Sequence, residues 1–133
     1  MASASINKID TLVCEPPKKY GNADAILHGK LIANVTVDSI NHIITVPDAF
    51  QFHPGVKNMP WIALVFIRLN ELYMLRASCV HDYLYHTRGD GKLTRSQCDA
   101  IGNAILSYDG LGKLNCKIVA LVLKLFGAKA WQN

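Results

Sequence analysis

The chain has 133 residues, of which half are hydrophobic and 18% are charged, and its formal net charge is +4. This length and apolar content suit one compact domain with a well-buried core. The chain is too short for two domains of ordinary size. The 14 basic residues are scattered and nearly balanced by 10 acidic ones. The composition therefore argues against a nucleic-acid-binding protein.

Residues 1–9 are small and polar, and such a segment normally frays unless a partner, such as a neighbouring subunit, orders it. They show neither the basic start nor the apolar run of a secretory signal, and no apolar run of the chain has the roughly 20 residues that a membrane helix needs. The four cysteines have no Cys-x-x-Cys spacing, which favours free thiols in a reducing compartment. We expect a soluble protein without a transmembrane segment.

Residues 10–50 are predicted to be mainly β. Runs rich in β-branched and aliphatic residues alternate with proline, glycine, asparagine and aspartate, which is typical of short strands joined by turns. The predicted strands are residues 11–14, 25–28, 31–37 and 42–46. The last two predict a hairpin in a small antiparallel sheet.

Residues 60–130 are predicted to be mainly helical. A helix starting at Pro60 runs through Leu69 towards a second helix around His81, and Thr94 with Gln97 predicts a capping box at the start of a third. A fourth helix covers residues 113–126. Its expected inward side chains are Leu114, Ile118, Leu121, Val122 and Leu125. We predict an α+β single domain of residues 1–133, in which a small N-terminal antiparallel β-sheet precedes a three- to four-helix half.

The helix around His81 carries a histidine and a carboxylate, Asp82, within an apolar run. Consecutive residues point about 100° apart around a helix, so these two side chains cannot meet. Asp99 on the next helix lies beside an apolar stripe formed by Cys98, Ile101, Ile105 and Tyr108. If the two helices are antiparallel, Asp99 can reach His81 and fix the tautomer of its ring.

The pattern His81-Asp82-x-x-Tyr85 on one helix and Cys98-Asp99 on the next resembles the helix pair of secreted phospholipases A2 and of parvovirus capsid lipase domains. The resemblance implies that His81 is a base that activates water, that Asp99 orients it, that Tyr85 hydrogen-bonds to Asp99 and that Asp82 binds calcium. The chain departs from those enzymes between residues 61 and 68, where no glycine-rich calcium loop is found. Because calcium takes six to eight oxygens, no cofactor is expected unless the protein is a hydrolase.

A second resemblance covers the chain from Ile43 to its end. Residues 43–50, 77–85, 94–99 and 123–131 follow the motif order of a phage and prophage family catalogued as domain of unknown function 1353. The chain departs from that family at residues 51–60, where an acidic segment is replaced. The resemblance implies a phage origin and does not imply a reaction.

Two interpretations of His81, Asp82 and Asp99 stay open: a buried hydrogen-bonded network without chemistry, or a catalytic or metal site. We expect a phage-encoded binding or structural protein, a virion tail, neck or assembly component, with other phage proteins or a second copy as its partner. Its location would be the host cytoplasm and, after assembly, the virion. The alternatives are a metal-assisted hydrolase of lipid or cell-envelope esters, and an intracellular inhibitor of a host protein.

Overall fold

The computed structural model describes residues 2–15, 25–52 and 71–132, with the backbone alone at 71–73, 126, 129, 130 and 132. A single 3₁₀ turn at Gly89–Gly91 separates the first two helices. The elements are β1 (Ala4–Ile9), β2 (Cys14–Glu15), β3 (Ala25–Leu27), β4 (Leu31–Val37), β5 (Ile40–Val46), β6 (Gln51–Phe52), α1 (Glu71–His86), α2 (Arg95–Tyr108) and α3 (Lys113–Gln132). The predicted α+β arrangement, with antiparallel strands before helices, is confirmed.

The strands form two small antiparallel sheets, in the orders β1-β4-β5 and β2-β3-β6. Strand β4 alternates strictly between buried and half-buried positions, as expected when one face of a sheet is covered. Helix α2 packs against β1 and β4, and α1 packs against β5 and β6. The main core therefore lies between the β1-β4-β5 sheet and the helical half. Its side chains on β4 are Leu31, Ala33, Val35 and Val37.

The predicted hairpin is formed by β4 and β5, which pair from Leu31↔Val46 to Val37↔Ile40. Its two turn residues, Asp38 and Ser39, both have positive φ, which matches the two-residue turns that follow the twist of a hairpin. The Asp38 carboxylate accepts hydrogen bonds from the Ser3 backbone at 2.9 Å and from Gln97 Nε2 at 3.1 Å. The turn thus ties the sheet to the start of α2.

Residues 4–9, which would normally fray, are ordered within the chain and need no partner for it. Ala4–Ile9 forms β1 and pairs with β4 from Ala4↔Val37 to Ile9↔Ala33. The segment has little strand character of its own, but backbone pairing with the edge of β4 satisfies its donors and acceptors. Long-range pairing of this kind overrides weak local propensity.

The helix pair α1–α2 follows the predicted pattern. Thr94 Oγ1 accepts from the Gln97 backbone at 3.2 Å, and the Gln97 side chain accepts from the Thr94 backbone at 2.9 Å, so the capping box is confirmed. In the predicted stripe of α2, Cys98, Ile101 and Ile105 are fully buried. The stripe was wrong at Tyr108, which is 54% exposed and lies beside the Arg76 guanidinium.

Helix α3 turns the opposite face to the core from the one predicted. Most of the expected inward residues are exposed: Leu114, Ile118, Leu121 and Leu125, at 71, 36, 56 and 63%, while Val122 is intermediate. The buried residues are instead Cys116, Val119, Leu123 and Gly127. Both faces of α3 are apolar, so hydrophobic period alone could not choose between them.

The predicted helix from Pro60 to Leu69 lies outside the described residues, as does most of the divergent segment 51–60, of which only Gln51 and Phe52 are seen, in β6. Within the described ranges, no helix combines the length and the apolar character needed to cross a membrane.

Candidate functional site

The predicted contact between His81 and Asp99 is present. His81 Nε2 lies 2.8 Å from Asp99 Oδ1, across the interface between α1 and α2. The carboxylate accepts, so the ring donates its Nε2–H, which fixes the tautomer. The two side chains are 13% and 20% exposed, so the bond lies in a largely dry environment in which it is stronger than at the surface.

Gly102 allows α2 to approach the histidine this closely. A Cβ at residue 102 would lie only 3.0 Å from His81 Cδ2, closer than side chains normally approach. The glycine is one turn after Asp99 on a helix, where it lowers helix propensity. The close contact with His81 explains why a glycine occupies this position within a helix.

Tyr85 completes the contact that the phospholipase-like pattern implies. Its hydroxyl donates to Asp99 Oδ1 at 2.6 Å, and its ring lies over His81 with centroids 4.2 Å apart. Trp131 on α3 packs edge-on against Tyr85 at 5.2 Å. Burial first, and then the hydrogen bond to Asp99, raise the pKa of Tyr85 far above its usual value, so the hydroxyl stays a donor throughout the physiological range.

Arg95 is a fourth member that the sequence analysis missed. Its Nε donates to the Tyr85 hydroxyl at 3.3 Å and lies 3.9 Å from Asp99 Oδ2, while its Nη2 donates to the backbone oxygens of Leu123 at 2.7 Å and Lys124 at 3.2 Å. The i, i+4 spacing of Arg95 and Asp99 on α2 was the available signal. We call His81, Tyr85, Arg95 and Asp99 the polar network; it joins α1, α2 and α3.

Gly127 lies where α3 meets the polar network. A Cβ at residue 127 would lie 2.7 Å from the Tyr85 hydroxyl and 3.2 Å from Arg95 Nη2. Only a residue without a side chain therefore lets α3 lie against Tyr85 in this orientation. In the first turn of α3, Asn103 Nδ2 donates to the Cys116 backbone oxygen at 2.6 Å, which holds the beginning of the helix with the same face inward.

The two ring nitrogens of His81 differ in their contacts with the described residues. Nε2 is engaged by Asp99, and Nδ1 has no hydrogen-bond partner within residues 2–15, 25–52 and 71–132. With Nε2 protonated, Nδ1 carries the lone pair and is the basic nitrogen. The ring is largely buried, with 13% of its side-chain surface exposed to solvent.

Asp82 does not join the polar network, as its position next to His81 on α1 requires. It is half-buried. The described part of the chain contains no group of three or more His, Cys, Asp or Glu side chains placed to hold a metal ion. The calcium role of Asp82 stays a prediction that belongs to the hydrolase alternative.

The other buried polar groups are structural. Arg76 forms a bidentate pair with Asp109 at the end of α2 and donates to the Asp10 backbone oxygen at 3.0 Å, which fastens the segment after β1 to the helices. The described cysteines are free thiols, as predicted. Burial raises the pKa of Cys79 and of Cys98 to about 12, so both are packing groups and not nucleophiles.

The fold and site define an α+β protein in which the three helices of the described residues are joined by a largely buried polar network. Comparison of the chain with protein-family models, with curated proteins and with solved structures finds no match. The resemblances to the phage family and to phospholipases A2 therefore rest on the sequence motifs and stay predictions.

Gly127→Ala should lower the free energy of unfolding by about 1–2 kcal/mol, because overpacking against the Tyr85 hydroxyl outweighs the gain in helix propensity. Urea denaturation measures the change. In a Tyr85→Phe background the hydroxyl is gone, and the same substitution should cost much less. An equal cost in both backgrounds, or a more stable Gly127→Ala protein, would contradict this account of the contact.

The difference in the free energy of unfolding between the wild type and Tyr85→Phe should decrease as the pH rises above 10. The pKa of Tyr85 is raised in the folded protein, so the protonated hydroxyl contributes stability that is fully present below the unfolded value of about 10 and is lost as pH rises towards the folded value. The wild type should lose up to about 1.4 kcal/mol per pH unit there relative to the variant. Urea titrations at pH 8 to 11 measure this, and a constant difference would refute it.

Proposed function

We propose that this is a phage-encoded binding protein, a tail, neck or assembly component of the virion, which uses its helical half as a rigid scaffold. The observation that carries the proposal is the row of large apolar side chains that α3 turns outward, Leu114, Ile118, Leu121 and Leu125. Contiguous exposed apolar side chains are uncommon on monomeric soluble proteins and mark interaction sites.

The polar network supports a scaffold role. Each of its members is bonded to another element: His81 and Tyr85 on α1 to Asp99 on α2, and Arg95 on α2 to the backbone of α3. Buried hydrogen bonds that link several elements make their packing rigid and specific. A helix fixed in this way presents its outer face without the ordering cost that a loose segment would pay on binding.

The phage assignment is supported by the order of the motifs at residues 43–50, 77–85, 94–99 and 123–131 in the sequence. It makes other phage proteins, or a second copy, the expected partners. Residues 61–68 contain no glycine-rich calcium loop, and a protein that acts by binding does not need the six to eight oxygens that calcium takes.

The proposed function predicts that the protein is found in purified particles of the phage that encodes it, or that it captures a phage protein in a pull-down from induced cells. Mass spectrometry of particles and of the captured fraction measures this. Ile118→Gln with Leu121→Gln should deplete the captured partner at least 10-fold, while Ile43→Thr on the outer face of β5 should not. Absence from particles together with no phage partner would refute the proposal.

A second candidate is the metal-assisted hydrolase, and one observation favours it: Asp99 holds Nε2 of His81 while Nδ1 has no hydrogen-bond partner among the described residues. In this alternative Nδ1 takes a proton from water, and the resulting hydroxide adds to an ester carbonyl. The imidazolium, stabilised by Asp99 and Tyr85, returns the proton to the leaving alkoxide as the C–O bond breaks. Asp82 would contribute to the calcium site that polarises the carbonyl.

Ester hydrolysis distinguishes the two functions. The binding proposal predicts the same background rate for the wild type, His81→Ala and Asp99→Asn, with and without calcium, on phospholipid vesicles and on a soluble ester. General base catalysis is typically worth 10²–10⁴-fold, so a wild-type rate more than 100-fold above both variants would establish the hydrolase instead. Circular dichroism of each variant checks that the comparison is made between folded proteins.

A further inference from the structure

The outward row on α3, here called the α3 stripe, consists of Leu114, Ile118, Leu121 and Leu125. The four are 71, 36, 56 and 63% exposed and follow each other at intervals of four, three and four residues. At 100° per residue they fall within an arc of about 60° and extend over about 16 Å of helix. The four exposed side chains therefore form a straight line of slightly less than two heptads, and Val122, about 40° further round the helix, is half-buried.

The width of the stripe distinguishes between types of partner. A helix that lies on a membrane or on a broad core shows an apolar face of 100° or more, whereas a narrow seam with alternating intervals of three and four is the contact line of one helix with another. Leu121 and its neighbours in the stripe occupy those seam positions. The geometry favours a helix as the occupant over a flat lipid surface.

The charges beside the stripe restrict the partner further. Lys113, Lys117 and Lys124 are exposed on α3, and their helical angles place all three along one edge of the stripe. The sequence of α3, Lys113–Gln132, contains no aspartate or glutamate. In paired helices, side chains in these flanking positions select a partner of opposite charge.

A second copy of the chain fits poorly in the antiparallel orientation. Pairing α3 with itself around this seam in the antiparallel orientation brings Lys117 and Lys124 of one copy towards the same lysines of the other, and α3 supplies no carboxylate to compensate. Like charges across a helix pair destabilise it. A partner with glutamate or aspartate beside its apolar seam turns the same positions into attractive pairs.

We propose that the α3 stripe binds an acidic amphipathic helix of a partner protein, with leucine or isoleucine residues in its seam and carboxylates beside it. This inference rests on the proposed binding function and names the chemistry of the partner. A contact of slightly less than two heptads is smaller than the roughly 800 Å² per partner of a standard stable interface. The complex should therefore be of micromolar affinity and readily reversible.

The test uses two designed, fluorescein-labelled peptides of three heptads each, with identical leucine and isoleucine seams. One has glutamate and the other lysine at all flanking positions, so each repels itself and stays monomeric. Fluorescence anisotropy with the full chain at low salt should give a Kd on the order of 10–100 μM for the glutamate peptide, and at least 10-fold weaker binding for the lysine peptide. Raising the salt to 0.5 M should weaken the glutamate complex several-fold.

Variants assign the binding to the stripe. Ile118→Gln with Leu121→Gln replaces two exposed side chains by good helix formers, and it should weaken binding of the glutamate peptide at least 10-fold without changing the thermal unfolding midpoint. Ile43→Thr, an exposed position on β5 with equal strand propensity, is the matched control and should bind as the wild type does.

Several results would overturn the inference. Equal binding of both peptides would show apolar adhesion without charge selection, and binding of neither would show that another part of the chain covers the stripe. A dimer that strengthens with salt would identify a second copy as the occupant. Binding to phosphatidylglycerol vesicles, but not to the glutamate peptide, would identify a lipid surface. If the glutamate peptide does not bind but the pull-down still captures a phage protein, the proposed binding function is supported and only the acidic helix as the partner of the α3 stripe is refuted.

Discussion

The hydrogen bond between His81 and Asp99 is the contact on which the helical half depends. A carboxylate that is 20% exposed between two helices is costly unless donors surround it, and Asp99 accepts from His81 and Tyr85 and faces Arg95. The requirement for these donors sets the register of α1 against α2, since Asp99 can meet His81 and Tyr85 together only when one turn of α1 lies across it. Gly102 removes the side chain that would otherwise keep the helices apart.

The same requirement reaches α3 through Arg95 and Tyr85. Arg95 Nη2 donates to two backbone oxygens of α3. The Tyr85 hydroxyl lies so close to α3 that only a glycine, Gly127, fits beside it. These contacts choose which of two apolar faces of α3 is buried. The exposure of Leu114, Ile118, Leu121 and Leu125 is thus a consequence of satisfying polar groups inside the protein.

Scaffold and catalyst would use the polar network differently, although its geometry serves either. In a scaffold the network would serve to link α1, α2 and α3 through the bonds of Asp99, Tyr85 and Arg95. In a hydrolase the network would serve to orient the ring, because Asp99 binds Nε2 and leaves the lone pair on Nδ1. The largely buried ring and the three-helix connectivity favour the first use, and the orientation of the imidazole is the feature that the second would need.

The sequence by itself determined the helix around His81, the capping box at Thr94, the hairpin of β4 and β5 and the meeting of His81 with Asp99, because each depends on local period, turn chemistry or the need of a buried carboxylate for donors. Tertiary structure decided what local patterns leave open. Residues 4–9 became β1 because an edge of β4 was available, and Arg95 entered the polar network through contacts far along the chain. Most consequentially, α3 has an apolar pattern that is equally good on two sides, and only the close approach of Gly127 to Tyr85 and the bonds from Arg95 and Asn103 determined which side faces the solvent.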